Sequence, residues 1–123
     1  MRQEARVSPS HSLLLVTDEA GIIPASLGND LVAATSSCVA VGTLSEHDGE
    51  TTISLSDGGE PDPLGLALVF DGGLATASGR LCVCTVQGEV LLSLRFAQHA
   101  FRVRIWANDP AEPDHIEVIA TAP

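Results

Sequence analysis

Phe101-Arg102-Val103-Arg104-Ile105-Trp106-Ala107 alternates without a break. Successive side chains of an extended strand point to opposite faces. Phe101, Val103, Ile105 and Ala107 therefore share one face, which reads as core. Arg102, Arg104 and Trp106 share the other. That second face sets two permanent positive charges beside the only tryptophan of a chain with formal charge −10 and no lysine.

Working outward from this strand, the chain reads as short apolar runs separated by turn residues. Ser12 to Thr17, Cys38 to Leu44, Thr51 to Ser56, Leu64 to Phe70, Leu74 to Ala77, Leu81 to Val86, Val90 to Phe96 and His115 to Thr121 are the other strand candidates. Between them stand Ser45 to Glu50 with its Asp48-Gly49 hairpin signal, Asp71-Gly72-Gly73, Ser78-Gly79-Arg80, Gln87-Gly88 and the Pro-rich loop Asn108 to Asp114. Ala20 to Thr35 is either a short helical turn or a loop with a broken strand. Turns at this spacing predict an all-β fold, an antiparallel two-layer β-sandwich of about eight strands with at most one short helix.

The 123 residues suffice for one ordinary domain. Residues 1–10 read as a flexible N-terminal leader and residues 11–123 as a single sandwich domain. Hydrophobic residues make up 45% of the chain and aromatics only 3%, so the core has to be filled by Leu, Val, Ile and Ala. No apolar run is long enough to cross a bilayer as a helix. Leu13-Leu14-Leu15-Val16 is too short for a secretory signal and leads straight into Thr17-Asp18-Glu19, so a cytoplasmic protein is expected. An odd count of three cysteines gives no paired disulfide framework.

The net charge disfavours nucleic acid and anionic membranes as partners, because both are bound by neutralising phosphates with Lys and Arg. It favours a basic protein partner, drawn in by electrostatic steering. The charge is also sorted along the chain. Glu46, Asp48, Glu50, Asp57, Glu60 and Asp62 fall in one segment without Lys or Arg, whereas Arg80, Arg95, Arg102 and Arg104 come later. Those six acids, together with Arg102, Arg104 and Trp106, are the candidate binding residues. Acids at a sheet edge also keep strands of different molecules apart, and the Arg face can serve simply as cross-strand pairs with acids such as Glu117, with Trp106 capped by an arginine stem.

No catalytic constellation emerges, and an enzyme is not expected. There is no G-x-S-x-G elbow, phosphate-binding Gly loop or dinucleotide fingerprint. Cys82 and Cys84 would lie about 7 Å apart on one strand face, unsuited to a disulfide, and lack the further pair a zinc site needs. They read with Cys38 as small buried hydrophobes. His47 among Glu46, Asp48 and Glu50 could hold an adventitious metal, but the calcium-loop spacing is absent. No cofactor or functional metal is expected.

Four segments carry a resemblance. They are Val39-Ala40-Val41-Gly42-Thr43 with Asp48-Gly49 and Thr51-Thr52-Ile53-Ser54-Leu55; Leu64 to Phe70 with Leu81-Cys82-Val83; Phe101-Arg102-Val103-Arg104-Ile105; and Ile116-Glu117-Val118-Ile119. Over roughly residues 38–121 the chain resembles small bacterial β-sandwich proteins and, more distantly, the competence-J-like family of nuclease inhibitors. Such chains usually end in Trp-Pro-Ala-Pro, whereas this one ends Ala120-Thr121-Ala122-Pro123. The resemblance implies a sandwich and an inhibitor or immunity role, and transfers no catalytic residue. The alternative expectation is a small-molecule or carbohydrate-binding sandwich that uses Arg102, Arg104 and Trp106. Open sheet edges leave room for a homodimer.

Overall fold

A computed structural model describes residues 2–18, 31–59 and 65–123. The expected ambiguity over Ala20 to Thr35 falls largely outside the described residues. Among those described there are ten strands: β1 (Arg2–Val7), β2 (Leu13–Thr17), β3 (Val32–Ala34), β4 (Cys38–Gly42), β5 (Thr51–Ser56), β6 (Ala67–Ala75), β7 (Arg80–Thr85), β8 (Val90–Arg95), β9 (Ala100–Ala107) and β10 (His115–Thr121). One short 3-10 turn at Ser10–Ser12 is the only helical piece among them. The strands form two five-stranded sheets, in the order β1-β5-β10-β9-β6 and β3-β4-β2-β7-β8, here called sheets A and B. The all-β sandwich expected from the sequence is the observed fold. Every pairing is antiparallel except β5 with β10, which run parallel.

The opening strand is β9, and its register is as read. Phe101, Val103, Ile105 and Ala107 are buried at 1%, 0%, 0% and 2% exposure. They pack with Ile53 and Leu55 of β5 and Ile116 and Val118 of β10 against Leu14, Val16, Val39, Val41, Leu81 and Val83 of sheet B. Burying a Val, Leu, Ile or Phe side chain is worth about 1.5–3 kcal/mol, so this aliphatic core dominates the stability.

The two sheets use different sequence patterns for a physical reason. Strands β1, β9 and much of β10 alternate, because one face meets the core and the other is polar. Leu13-Leu14-Leu15-Val16, Cys38-Val39-Ala40-Val41 and Leu81-Cys82-Val83-Cys84 do not alternate. Their strands are covered on both faces: Leu15, Cys38 and Ala40 form a second buried cluster with Leu13, Cys84 and Val86 on the far side of sheet B. The three cysteines are free, and Cys38 and Cys82 are buried.

Three expectations are corrected. Residues 2–7 are not a leader but an edge strand paired antiparallel with β5. Gln3, Ala5 and Val7 face inward, and Gln3 Oε1 accepts a hydrogen bond from Ser93 N of the opposite sheet at 3.0 Å. The segment has too little apolar content to stand out before its partner is known. Asp48-Gly49 does not close a hairpin. It lies in the connection that carries the chain from β4 in sheet B to β5 in sheet A, with Gly49 at φ 146. Asp71-Gly72-Gly73 is not a turn but the middle of β6. A Cβ on Gly72 would sit 2.8 Å from Phe70 Cζ, so glycine is there to admit the neighbouring ring, not to reverse the chain.

Candidate functional site

Two regions carry the charge. The first is the outer face of sheet A, where β1, β5, β10, β9 and β6 turn away from the core. It carries Arg2, Glu4 and Arg6 from β1, Glu117 from β10, Arg102, Arg104 and Trp106 from β9, and Asp71 from β6. Arg102 is held by a diagonal neighbour: Nε donates to Asp71 Oδ1 at 2.9 Å and Nη2 to Asp71 Oδ2 at 2.6 Å. This fork is the strong geometry for Arg and carboxylate, and it holds the Asp71 carboxyl below its ordinary range. Arg104 lies over the Trp106 ring, with Cζ 5.3 Å from the centroid.

Glu117 does not pair with the β9 arginines, the expectation for a charged cross-strand neighbour. It sits opposite Trp106 in the β9–β10 register. It is only 4% exposed, and its Oε1 accepts from Arg2 Nη2 at 2.8 Å. Sequence reading missed this pair because Arg2 belongs to the segment expected to be loose. Arg2, Ser54, Ser56, Glu117 and Ile119 line a cleft of about 280 Å³ on this face. Arg102, Arg104 and Trp106 are not among its lining residues. Arg104 Nε and His115 Nε2 are buried without a hydrogen-bond partner among the described residues.

The second region is one end of the sandwich. There the connection from β4 to β5 meets the loop from β9 to β10. Leu44 N donates to the Pro113 carbonyl at 2.9 Å and Thr52 N to the Asp114 carbonyl at 2.8 Å. Glu46, Asp48 and Glu50 are thereby brought to the same end as Asp109, Glu112 and Asp114. All six are exposed, and neither stretch (residues 43–50 and 108–114) contains Lys or Arg. The β7–β8 turn adds Glu89 at the corresponding end of sheet B.

The second acidic loop is internally braced. Asp109 Oδ1 accepts from Ala111 N at 2.8 Å and Glu112 N at 2.9 Å. Those backbone donors, Glu112 first, lower its pKa. Asn108 Nδ2 donates to Asp114 Oδ1 at 2.6 Å, and Asn108 Oδ1 accepts from Asp114 N and His115 N at 3.1 and 3.2 Å. Asp109, Glu112 and Asp114 were not among the sequence candidates. Their only sequence signal is an acidic, Pro-rich loop, which is ordinary loop chemistry.

The six-acid segment expected as one surface is divided. Glu46, Asp48 and Glu50 stay together, but Asp57 follows the far end of β5, about 17 Å away at the rise of a strand. Glu60 and Asp62 lie outside the described residues. His47 stands by Glu46 with Nε2 3.9 Å from Oε1, and among the described residues no group of three His, Cys, Asp or Glu is placed to hold a metal. Burial, with smaller contributions from Cys82 and Cys38, pushes the Cys84 thiol up to about 11, so it stays protonated at neutral pH.

Next to the acidic end, where β6 begins, a cleft of about 260 Å³ is lined by Ala67, Val69, Ala107, Asn108, Asp109 and Pro110. Val69 falls at an irregularity in the β6–β9 register between Leu68 and Phe70. Leu68 points to the other face, opposite Trp106, and is 50% exposed.

No protein-family model matches the chain, and no curated protein sequence does. Solved structures do share its fold. ComJ from Bacillus subtilis, an inhibitor of the DNA-degrading activity of NucA, superposes with a TM-score of 0.72 at 11% identity, covering 98% of this chain and 96% of that one. The protein of crocagin biosynthetic gene J superposes at 0.56 with 12% identity, over 98% and 95% of the two chains. At such identities the likeness concerns the fold. No helix among the described residues is long and apolar enough to cross a membrane.

Proposed function

We propose that this chain is a non-enzymatic protein-binding protein of the inhibitor or immunity type. Its partner is a more basic protein, such as a DNA-degrading nuclease. The observation that carries the reading is the likeness of fold, over 98% of the chain, to an inhibitor of such an activity. The acidic end supports it independently. Glu46, Asp48, Glu50, Asp109, Glu112 and Asp114 form a surface of carboxylates that make no ion pair with Lys or Arg among the described residues, which raises the encounter rate with a basic protein and repels nucleic acid. A basic nuclease occupied there would be hindered from its own polyanionic substrate.

The test is a titration of the purified protein into DNA-degradation assays with a set of basic nucleases and an acidic one as control. Run at about 50 mM and about 500 mM salt, the assay separates steering from unspecific effects. The expected result is stoichiometric loss of activity of a basic nuclease, weakened at the higher salt. If none of the basic nucleases is bound or inhibited at low salt, the reading fails.

A second reading, a small-molecule site, is favoured by the cleft around Arg2, Ser54, Ser56 and Glu117. It departs from the sequence expectation, because the β9 residues Arg102, Arg104 and Trp106 are not part of that cleft.

A further inference from the structure

We infer that the cleft at the start of β6 receives one apolar side chain of the basic partner, flanked there by lysine or arginine. This rests on the protein-binding reading above and names the part of the surface that anchors the contact.

The walls of the cleft are apolar. Ala67 and Val69 come from β6, Ala107 from the end of β9, and Pro110 from the acidic loop. Among the described residues strand β6 is the last strand of sheet A and pairs only with β9, so the cleft lies at the edge strand of that sheet. The cleft holds about 260 Å³ and is lined mostly by small apolar side chains, unlike the charged cleft around Arg2 and Glu117. It suits a single aliphatic side chain better than a metabolite.

The surroundings specify the rest of the partner. Asp109 is at the rim, and Glu112 and Asp114 belong to the same loop, which is bonded to the stretch carrying Glu46, Asp48 and Glu50. Asp109 is already held as the carboxylate by two backbone donors, and no arginine or lysine occurs in the loop. A partner loop entering the cleft therefore meets negative charge around its apolar tip. An apolar centre within a charged rim is the usual anatomy of an interface hot spot. A second copy of this chain is a poor occupant, because two acidic ends would have to approach each other.

The experiment uses 15N-labelled full-length protein and three capped peptides: Lys-Lys-Leu-Lys-Lys, Lys-Lys-Ala-Lys-Lys and Glu-Glu-Leu-Glu-Glu. The leucine peptide should give saturable shifts at the amides of Ala67, Val69 and Ala107. The alanine peptide should bind about tenfold more weakly, the loss expected for the missing apolar surface. The acidic peptide should give no shifts. Ala67→Glu adds a carboxylate but fills the mouth of the cleft, so it should lower affinity for the leucine peptide despite the extra attraction. Val69→Thr, which keeps the side-chain shape but puts a hydroxyl into the apolar wall, should lower affinity for the leucine peptide more than for the alanine peptide and serves if the first variant fails to fold.

Equal binding of the leucine and alanine peptides, with shifts confined to residues 108–114, would overturn the anchor and leave charge alone. Shifts that depend on protein concentration without peptide would assign the cleft to a second copy and overturn it as well. Binding of the acidic peptide would do the same for the charged rim. Positive peptide data alongside a failed nuclease titration would uphold the cleft and reject only the inhibitor reading.

Discussion

The outer face of sheet A and the acidic end of the sandwich both concentrate charge, but they treat it in opposite ways. On the sheet face most charges have company, Arg102 with Asp71, Arg2 with Glu4 and Glu117, and Arg104 with the Trp106 ring, while Arg6 makes no ion pair among the described residues. Strands at fixed spacing bring side chains into register, so opposite charges there find each other. At the acidic end, two connections come together with carboxylates on both and no cation on either. Compensated charge supports the fold, whereas uncompensated charge costs a little stability and is available to a partner.

The largest effect expected from this contrast is on stability at the sheet face. Glu117→Ala removes a buried carboxylate and leaves Arg2 without its closest partner, at a cost of about 1–3 kcal/mol in denaturant unfolding. The combined variant Glu46→Gln, Asp48→Asn and Glu50→Gln should stay within about 0.5 kcal/mol of the parent. If the triple variant is the more damaging one, the two regions have been read the wrong way round.

A smaller effect is kinetic. With a basic partner in hand, the same triple variant should lower the association rate about tenfold at low salt, and much less at high salt, in stopped-flow measurements. Arg102→Ala on the sheet face should leave that rate within about twofold. Equal losses from both would mean that the sheet face also takes part in the encounter.

The smallest effect is the pH dependence of the Asp71–Arg102 pair. Arg102 lowers the Asp71 pKa in the folded state, so the pair stabilises above the unfolded carboxyl value of about 4. That contribution is lost as the pH falls through the lower folded value. Asp71→Asn should therefore melt slightly below the parent at pH 7, with the gap closing below about pH 4. A gap that ignores pH would mean that packing, not charge, links β6 to β9 here.

Much of the fold was legible because periodicity is local. Phe101 to Ala107 gave its own register, and the apolar runs Leu13 to Val16 and Leu81 to Cys84 announced strands, though not that both faces of those strands are covered. The misreadings fell where local composition and tertiary context disagree. Arg2 to Val7 alternates, but it is polar enough to pass for a loose end until β5 is beside it. Asp71-Gly72-Gly73 has the composition of a turn, yet Gly72 serves the Phe70 ring. Asp48-Gly49 reads as a hairpin only if β4 and β5 are assumed to be neighbours.

The site was legible only in part. Arg102, Arg104 and Trp106 were assigned to one face correctly, because that follows from alternation alone. Their partners were not, since pairing with Asp71 instead of Glu117 depends on which strands flank β9. Glu46, Asp48 and Glu50 were found as a group, whereas Asp57 was wrongly joined to them by nearness in sequence.

The sequence by itself determined the all-β class, the aliphatic core, the register of β9 and the excess of acid. These rest on side-chain alternation and composition, which need no knowledge of the rest of the chain. Only the tertiary structure decided which acids share a surface. Residues 43–50 and 108–114 meet because separate connections of a sandwich end at the same pole, and the hydrogen bond from Leu44 to Pro113 joins them there. Distance along a strand separates neighbours in sequence, and the packing of two sheets unites residues far apart in it.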